Sequence, residues 1–208
     1  IHASKHESTC YPLKACEKMI QGLSYDNIIA TGYGRHLFCE KVSAQAVSEI
    51  KAFAVGATRV FPACRTVLDI GGQDTKTIAL DEKGGIIKFE MNDKCAAGTG
   101  KFLEFMASVL DYNLNEFSTK AMESEKAHKI NSMCTVFAES EITSLVSKGE
   151  KRRDIALGLH RSVVRRAGGM LKRVSAKEPI LFAGGVARNP CMRKLLEEAV
   201  LTEIHVPE

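Results

Sequence analysis

Between Arg65 and Glu90 the sequence alternates three short apolar segments with two tight turns. The segments RTVLDI, TKTIAL and GIIKFE are typical of strands, and the intervening GGQD and DEKGG carry the glycine and aspartate that turns favour. Segments with helical spacing follow, and a further apolar strand, PILFA, lies near the end of the chain. Strands, helices and a further strand in this order predict an α/β domain.

Helical patterns fill most of the chain between these strands and PILFA. We expect one helix from Lys101, one over about Thr135–Ser147 and a long one over Asp154–Val174. A Gly-Gly turn follows PILFA, and a last helix is predicted from Asn189. We therefore assign residues 63–208 to one α/β domain.

The first part of the chain is predicted to form an incomplete α/β unit. LKACEKMIQGL has apolar residues at helical spacing, and DNIIATGYG is typical of a short strand entering a glycine turn. SAQAVSEIKAFAVGA is predicted to be a helix with Ser43 as its N-cap. Residues 1–62 are accordingly assigned to a partial first domain.

The composition is that of an ordinary globular protein. Of 208 residues 45% are hydrophobic and 26% charged, and the formal net charge is +4. No apolar run approaches the ~18 residues of a membrane-spanning helix, and no signal-peptide pattern opens the chain. We therefore expect a cytoplasmic protein. Its seven cysteines, an odd number at irregular spacing, argue against a disulfide framework and leave metal, cluster or simple burial.

The segment LDIGGQDTKTI carries the strongest chemical signal. Glycine lets the backbone approach a ligand, so the turn at Gly71–Gly72 can direct N–H groups at a phosphate. Asp69 and Asp74 could hold a hydrated Mg²⁺ or orient the attacking water, and Gln73 and Lys76 could donate to phosphate oxygens. The alternative is a plain hairpin turn between exposed acids.

A second glycine turn follows the strand PILFA. In PILFAGGVARNP, Gly184–Gly185 would let a flat group such as adenine lie against the backbone, with Asn189 at the start of the next helix. A simple strand-to-helix turn also favours glycine. The segment GTGKF is not a phosphate-binding loop of the Walker type, because Phe102 follows Lys101 where that motif has Ser or Thr.

Four segments together resemble a known family. LDIGGQDTKTI, NDKCAAGTGKFLE, CTVFAESEI and AGGVARNP occur in this order and resemble ATP-dependent activators of 2-hydroxyacyl-CoA dehydratases and the related benzoyl-CoA reductase ATPase subunits. These are ATPases of the BadF/BadG/BcrA/BcrD type, and the resemblance runs from about Ala30 to Pro207. The family belongs to the acetate and sugar kinase, Hsc70 and actin superfamily.

That resemblance implies the fold. In the superfamily two ribonuclease-H-like domains close over ATP, so this chain should have an α/β fold of the actin/Hsc70 type, with an incomplete first domain and a nearly complete second one. A first phosphate loop of the Asp-x-Gly-Ser type and a final Gly-Ala-rich helix, both typical of the family, do not occur in the sequence.

The resemblance also implies site residues. Asp69, Gln73 and Asp74 would be catalytic in the second phosphate loop, with Mg²⁺. Cys95 and Cys134 match two ligands of a [4Fe–4S] cluster, and a two-fold homodimer would contribute the same pair from each subunit. The expected contacts to ATP or ADP are Gly71, Gly72, Lys76, Gly98, Gly100, Lys101, Gly184, Gly185 and Asn189. We expect the cysteines outside these motifs to be small buried side chains: Cys10, Cys16, Cys39, Cys64 and Cys191.

The function implied is ATP-driven electron donation. The reduced cluster would pass one electron to a 2-hydroxyacyl-CoA dehydratase or a related CoA-ester reductase, after receiving it from a ferredoxin or flavodoxin-type donor. The alternatives are the ATPase subunit of a benzoyl-CoA reductase-type enzyme, a redox-silent small-molecule kinase and a nucleotide-gated binding module.

Basic residues recur between Lys151 and Arg173, but no aromatic platform for nucleic acid accompanies them. We interpret them as a solvated helix face, or as a docking surface for an acidic protein. Neither nucleic acid nor a membrane is expected as a partner.

Overall fold

The structure, a computed structural model, describes residue 6, residues 10–132 and residues 134–207. The chain divides into two compact units, Ile1–Phe53 and Ala54–Glu208. The assignment of these units to a partial and a nearly complete ribonuclease-H-like domain stays a prediction. Within the described ranges no helix has the length and apolarity needed to cross a membrane.

The first unit contains a small βαβ arrangement. Strand β1 (Ile29–Ala30) and strand β2 (Gln45–Ala46) pair in parallel, and helix α2 (Arg35–Lys41) connects them. Helix α1 (Pro12–Ile20) precedes them, and its proline stands in the first turn, where the fixed φ of proline suits a helix and no N–H is needed. The predicted helix and strand at the start of the chain are therefore present.

Helix α3 (Glu49–Val60) begins later than predicted, and Ser43 is not its N-cap. Gln45 and Ala46 are held in an extended conformation by pairing with β1, so the helix cannot begin before them. Ser48 takes the capping position instead, because its Oγ accepts a 3.3 Å hydrogen bond from the backbone N–H of Lys51.

The second unit is built on a five-stranded sheet in the order β5-β4-β3-β6-β7. Strands β3 (Thr66–Ile70), β4 (Thr75–Leu80) and β5 (Ile86–Asn92) form the antiparallel part, with the short turns that the sequence predicts between them. Strand β6 (Ile180–Ala183) is the predicted PILFA strand and pairs in parallel with β3, and β7 (Ile204–His205) pairs in parallel with β6.

Helices of the second unit supply most of its core. Four of them match predicted segments, and α5 was not predicted; their bounds are α4 (Gly100–Val109), α5 (Leu114–Met122), α6 (Thr135–Ser147), α7 (Arg152–Arg173) and α8 (Pro190–Val200). Strand β3 is buried along its whole length, and Leu68 and Phe182 pack with Met106 and Phe117 of the helices. Burial of this apolar surface stabilises the layered unit. Arg161 and Arg165 of α7 are exposed, as expected of a solvated helix face.

Candidate functional site

Beside the turn between β3 and β4, the buried ammonium group of Lys76 lies between two carboxylates. Asp69 and Lys76 face each other across the strands, and the Lys76 Nζ lies 3.1 Å from Asp69 Oδ2 and 2.7 Å from Asp74 Oδ1. Lys76 is 1% exposed and Asp69 is 2% exposed, whereas the Asp74 side chain is 25% exposed. A buried charge is tolerated only when it is paired, so Lys76 fixes both carboxylates in place. Gln73 is exposed in the turn itself.

The first residues of α4 bind the back of this turn. The backbone N–H of Gly100 donates to the carbonyl oxygen of Gly71, and that of Lys101 donates to the carbonyl oxygen of Gly72, each over 2.8 Å. A Cβ on Gly100 would lie 3.0 Å from the Gly71 oxygen, so glycine permits this close approach. These two N–H groups support the turn, and the Lys101 ammonium pairs with Glu104 at 2.8 Å.

The second glycine turn lies directly against the first. Gly184 has a φ of +87°, and a Cβ there would overlap the carbonyl oxygen of Ile70 and lie 2.6 Å from Asp69 Oδ1. Only glycine allows β6 to end so close to β3. The two glycine motifs, far apart in sequence, are therefore neighbours at the same end of the sheet.

Asn189 is held by an interaction network that reaches into the core. Its Oδ1 accepts hydrogen bonds from Ser118 Oγ at 2.8 Å and from the backbone N–H of Met192 at 3.0 Å. Its Nδ2 lies 3.1 Å from His160 Nε2, and His160 Nδ1 lies 2.8 Å from the carbonyl oxygen of Ala156. Burial lowers the pKa of His160 to about 4, so we assign a neutral ring whose Nδ1–H donates to Ala156. The amide of Asn189 is thereby fixed in orientation.

A cleft of about 490 Å³ opens between α4, α5 and the start of α8. Four residues predicted to contact nucleotide line it, namely Gly72, Gly100, Gly185 and Asn189. Its size and mixed lining suit a small organic ligand. The sequence reasoning missed the wall that α5 supplies, which consists of Leu114, Asn115, Ser118 and Thr119. A signal for α5 existed, since Asn113 and Glu116 form a capping box at its start.

The segment before α4 carries the first of the two candidate cluster cysteines. Cys95 is exposed in the loop between β5 and α4, and Asn92 Nδ2 donates to its carbonyl oxygen over 2.9 Å. Gly98 has a φ of +88°, its carbonyl oxygen accepts a 2.8 Å bond from Thr75 Oγ1, and a Cβ there would lie 2.6 Å from Arg166 Cδ. The loop is thus held to β4 on one side and to α7 on the other.

Cys134, the second candidate, is exposed at the N-cap of α6, and its carbonyl oxygen accepts from the backbone N–H of Ala138 over 2.8 Å. The helix dipole favours a negative charge at this position. Within the described part of the chain, no group of three or more His, Cys, Asp or Glu side chains is arranged to hold a metal ion.

The remaining cysteines follow the burial prediction only in part. Cys64 and Cys191 are buried, and burial raises the pKa of both thiols, that of Cys191 to about 12. Cys10 and Cys16 are exposed, so the prediction was wrong for them, and Cys39 is only partly buried. Cys16 lies on the first turns of α1, where it borders an open apolar cleft of the first unit.

Two adjoining glycine turns at one end of a mixed sheet, with a cleft beside them, define a nucleotide-binding α/β domain. The chain belongs to the BadF/BadG/BcrA/BcrD ATPase family, whose model matches residues 13–207. The four sequence segments had indicated this family, and that identification is confirmed.

Several similar proteins are named as dehydratase activators. The chain is 39% identical to the 2-hydroxyisocaproyl-CoA dehydratase activator of Clostridioides difficile, over 99% of this chain and 78% of the relative. It is 45% identical to the (R)-2-hydroxyglutaryl-CoA dehydratase activating ATPase of Acidaminococcus fermentans, over 85% of this chain and 67% of the relative.

A solved structure of a Clostridium difficile activator with bound ADPNP superposes with a TM-score of 0.84 at 38% identity, covering 99% of this chain and 78% of that one. The fold is therefore the α/β fold of actin/Hsc70-type ATPases, as predicted.

Proposed function

We propose that this protein is an ATP-dependent one-electron donor that activates a 2-hydroxyacyl-CoA dehydratase. The observation that carries the proposal is the single segment from Cys95 to Lys101. A free, exposed thiol stands at its start, and at its end the N–H groups of Gly100 and Lys101 bind the Gly71–Gly72 turn. If nucleotide moved the Gly71–Gly72 turn, the start of α4 would move with it, and the Cys95 thiol would move because it lies only a few residues earlier in the same segment. The names of the similar activators support the same activity.

The thiols fit a shared iron–sulfur cluster. A [4Fe–4S] cluster takes four thiolates, and Cys95 and Cys134 supply two that are exposed and free of disulfide bonds. A second copy of the chain would supply the other two across a two-fold axis. When bound, the cluster would supply one electron at a time. Cys134 lies at the N-terminus of α6, where the positive end of the helix dipole would stabilise the negative charge of such a group.

The glycine turns fit ATP with a hydrated Mg²⁺. Such an ion is commonly held by one or two carboxylates together with phosphate oxygens. Asp74 is partly exposed and Asp69 lies behind it, and Lys76 orients both carboxylates through its two ion pairs. Gln73 is exposed and free to reach a phosphate or the attacking water. Adenosine would occupy the cleft beside Gly185 and Asn189.

Nucleotide-driven rearrangement would then control electron transfer. Helix α4 contacts both α5, at the cleft, and α6, which begins directly after Cys134. We propose that ATP binding and hydrolysis shift these helices and open the route from the cluster to the partner enzyme. A ferredoxin or flavodoxin-type protein would supply the electron beforehand.

Iron and sulfide analysis of the anaerobically purified protein tests the cluster. We expect about four irons per dimer, since four thiolates hold one [4Fe–4S] unit. Cys95→Ser and Cys134→Ser should each abolish iron binding. Cys191→Ser is the matched control, because that thiol is buried and should not affect iron content. Full iron content in either of the first two variants would exclude the bridging arrangement.

A further inference from the structure

We propose that Glu141 is a positioning residue that holds the Cys134 thiol in the orientation required for cluster binding. This inference rests on the proposed function, because it concerns the same cluster. Glu141 lies on α6, the helix whose N-cap position Cys134 occupies, and its carboxylate turns back toward the loop that precedes the cysteine.

The carboxylate holds that loop by several hydrogen bonds at once. Its Oε1 accepts from the backbone N–H of Asn131 at 3.0 Å and from Asn131 Nδ2 at 3.1 Å. Its Oε2 accepts from the backbone N–H of Ser132 at 2.8 Å. The chain is thus fastened to α6 on the upstream side of Cys134, while the N–H of Ala138 binds the Cys134 carbonyl on the downstream side. Cys134 lies between two attachments to the same helix.

The charge of Glu141 suits this role. Partial burial raises the pKa of Glu141, but the hydrogen bonds from Asn131 and Ser132 outweigh that effect, and the net pKa is lowered. The group is therefore ionised near neutral pH, and an ionised carboxylate only accepts hydrogen bonds. The ionised carboxylate can therefore accept hydrogen bonds from all three N–H groups, and it carries no hydrogen that would face them. Glutamine at this position would keep one accepting oxygen and lose the charge.

Position along the helix separates Glu141 from its neighbour Glu139. The two carboxylates stand two residues apart and so point to different faces of α6. Glu139 is exposed, whereas Glu141 is half-buried against the loop. If both contributed only general surface charge, their replacement would have equal effects. If Glu141 orients a ligand, only its replacement should change the cluster, as residues that orient metal ligands generally do.

The test compares Glu141→Ala, Glu141→Gln and the control Glu139→Gln in the protein reconstituted anaerobically with iron and sulfide. The rate of iron loss to a chelator should increase on the order of 10- to 100-fold in Glu141→Ala. Glu141→Gln should lie between that variant and the wild type, because it keeps one acceptor. Glu139→Gln should match the wild type. Thermal unfolding of the cluster-free proteins reports any separate loss of stability.

Two further measurements, the midpoint potential of the cluster and its EPR spectrum, distinguish positioning from a merely structural role. Glu141→Gln should shift the cluster's midpoint potential to a higher value, since loss of a nearby negative charge favours the reduced form, and should alter its EPR spectrum. Wild-type potentials, EPR spectra and iron-loss rates in both Glu141 variants would overturn this inference and leave the proposed function intact. A wild-type protein that binds no cluster would overturn the proposed function, and this inference with it.

Discussion

At the scale of single residues, burial decides what each polar group in this protein can do. Lys76 is enclosed with two carboxylates, so its charge serves first to hold Asp69 and Asp74. Removing one member of a buried ion pair typically costs about 3–5 kcal/mol, because the remaining charge is left unpaired. His160 differs from Lys76, because it is buried against two uncharged groups, the Ala156 carbonyl and the Asn189 amide, and is neutral near neutral pH.

The neutral state of His160 makes folding stability depend on pH. Its pKa is lowered from the ordinary 6.5 to about 4, so between these values the unfolded chain binds a proton that the folded chain does not. The contribution of His160 to the free energy of unfolding is therefore most favourable above pH 6.5. It falls as the pH drops toward 4, by about 3 kcal/mol in total. Urea unfolding at a series of pH values measures this loss.

The contribution of His160 is isolated by substitution. In His160→Gln this part of the pH dependence should disappear, whatever the stability of the variant at pH 7. His36→Gln is the matched control, because His36 is exposed and its replacement should leave the dependence as in the wild type. An unchanged pH dependence in His160→Gln would show that other groups cause it.

At the scale of elements, helix α7 contains glycines in two different environments, one tightly packed and one open. Gly158 is buried, and a Cβ there would overlap the carbonyl oxygen of His128. The segment that contains His128, which precedes α6 in the chain, therefore packs directly on the backbone of α7. Gly168 lies further along α7, and among the described residues no atom outside its own stretch of helix lies within 4 Å of the position that a Cβ would take.

Alanine substitution at the two glycines should therefore act in opposite directions. Gly168→Ala should stabilise the protein by about 1 kcal/mol, because alanine has the higher helix propensity. Gly158→Ala should destabilise it by about 1–3 kcal/mol, since the added methyl group forces the packed segment away. Denaturant unfolding of both variants provides the comparison. Equal stabilisation by both would mean that the segment at His128 does not pack on α7.

Elements with strong periodicity or turn chemistry could be predicted, and those defined by distant contacts could not. Strands β3 to β6 followed from short apolar segments separated by turn residues, and helices α4, α6, α7 and α8 followed from apolar residues at helical spacing. The start of α3 was misplaced because the pairing of Gln45 and Ala46 with β1 outweighs their helical pattern. The links from Ser118 and His160 to Asn189 span large sequence separations, and no local pattern indicates them.

At the scale of the whole molecule, the second unit joins the two glycine turns and the two candidate cluster cysteines in one connected structure. The Gly71–Gly72 turn binds the start of α4, and the loop before α4 carries Cys95. Helix α4 contacts α6, which begins directly after Cys134. The proposed energy coupling therefore requires no long-range pathway. It requires only that these packed elements move together when nucleotide changes.

This connection predicts that ATP hydrolysis and electron transfer depend on each other. With the reduced protein, γ-labelled ATP and a 2-hydroxyacyl-CoA dehydratase, label should appear as inorganic phosphate while the dehydratase becomes active. A non-hydrolysable ATP analogue should leave the dehydratase inactive. Asp74→Ala should strongly reduce phosphate release, because it removes the partly exposed carboxylate of the turn.

The cysteine variants complete the experiment. Cys95→Ser should abolish activation of the dehydratase while leaving nucleotide binding, since the cleft is lined by other residues. Activation of a benzoyl-CoA reductase-type partner, and not of a dehydratase, would place the protein in the other branch of its family. Transfer of label to a sugar or carboxylic acid, unaffected by Cys95→Ser, would identify a small-molecule kinase. Binding of a partner that responds to nucleotide without iron or phosphate release would indicate a nucleotide-gated binding module and contradict electron donation.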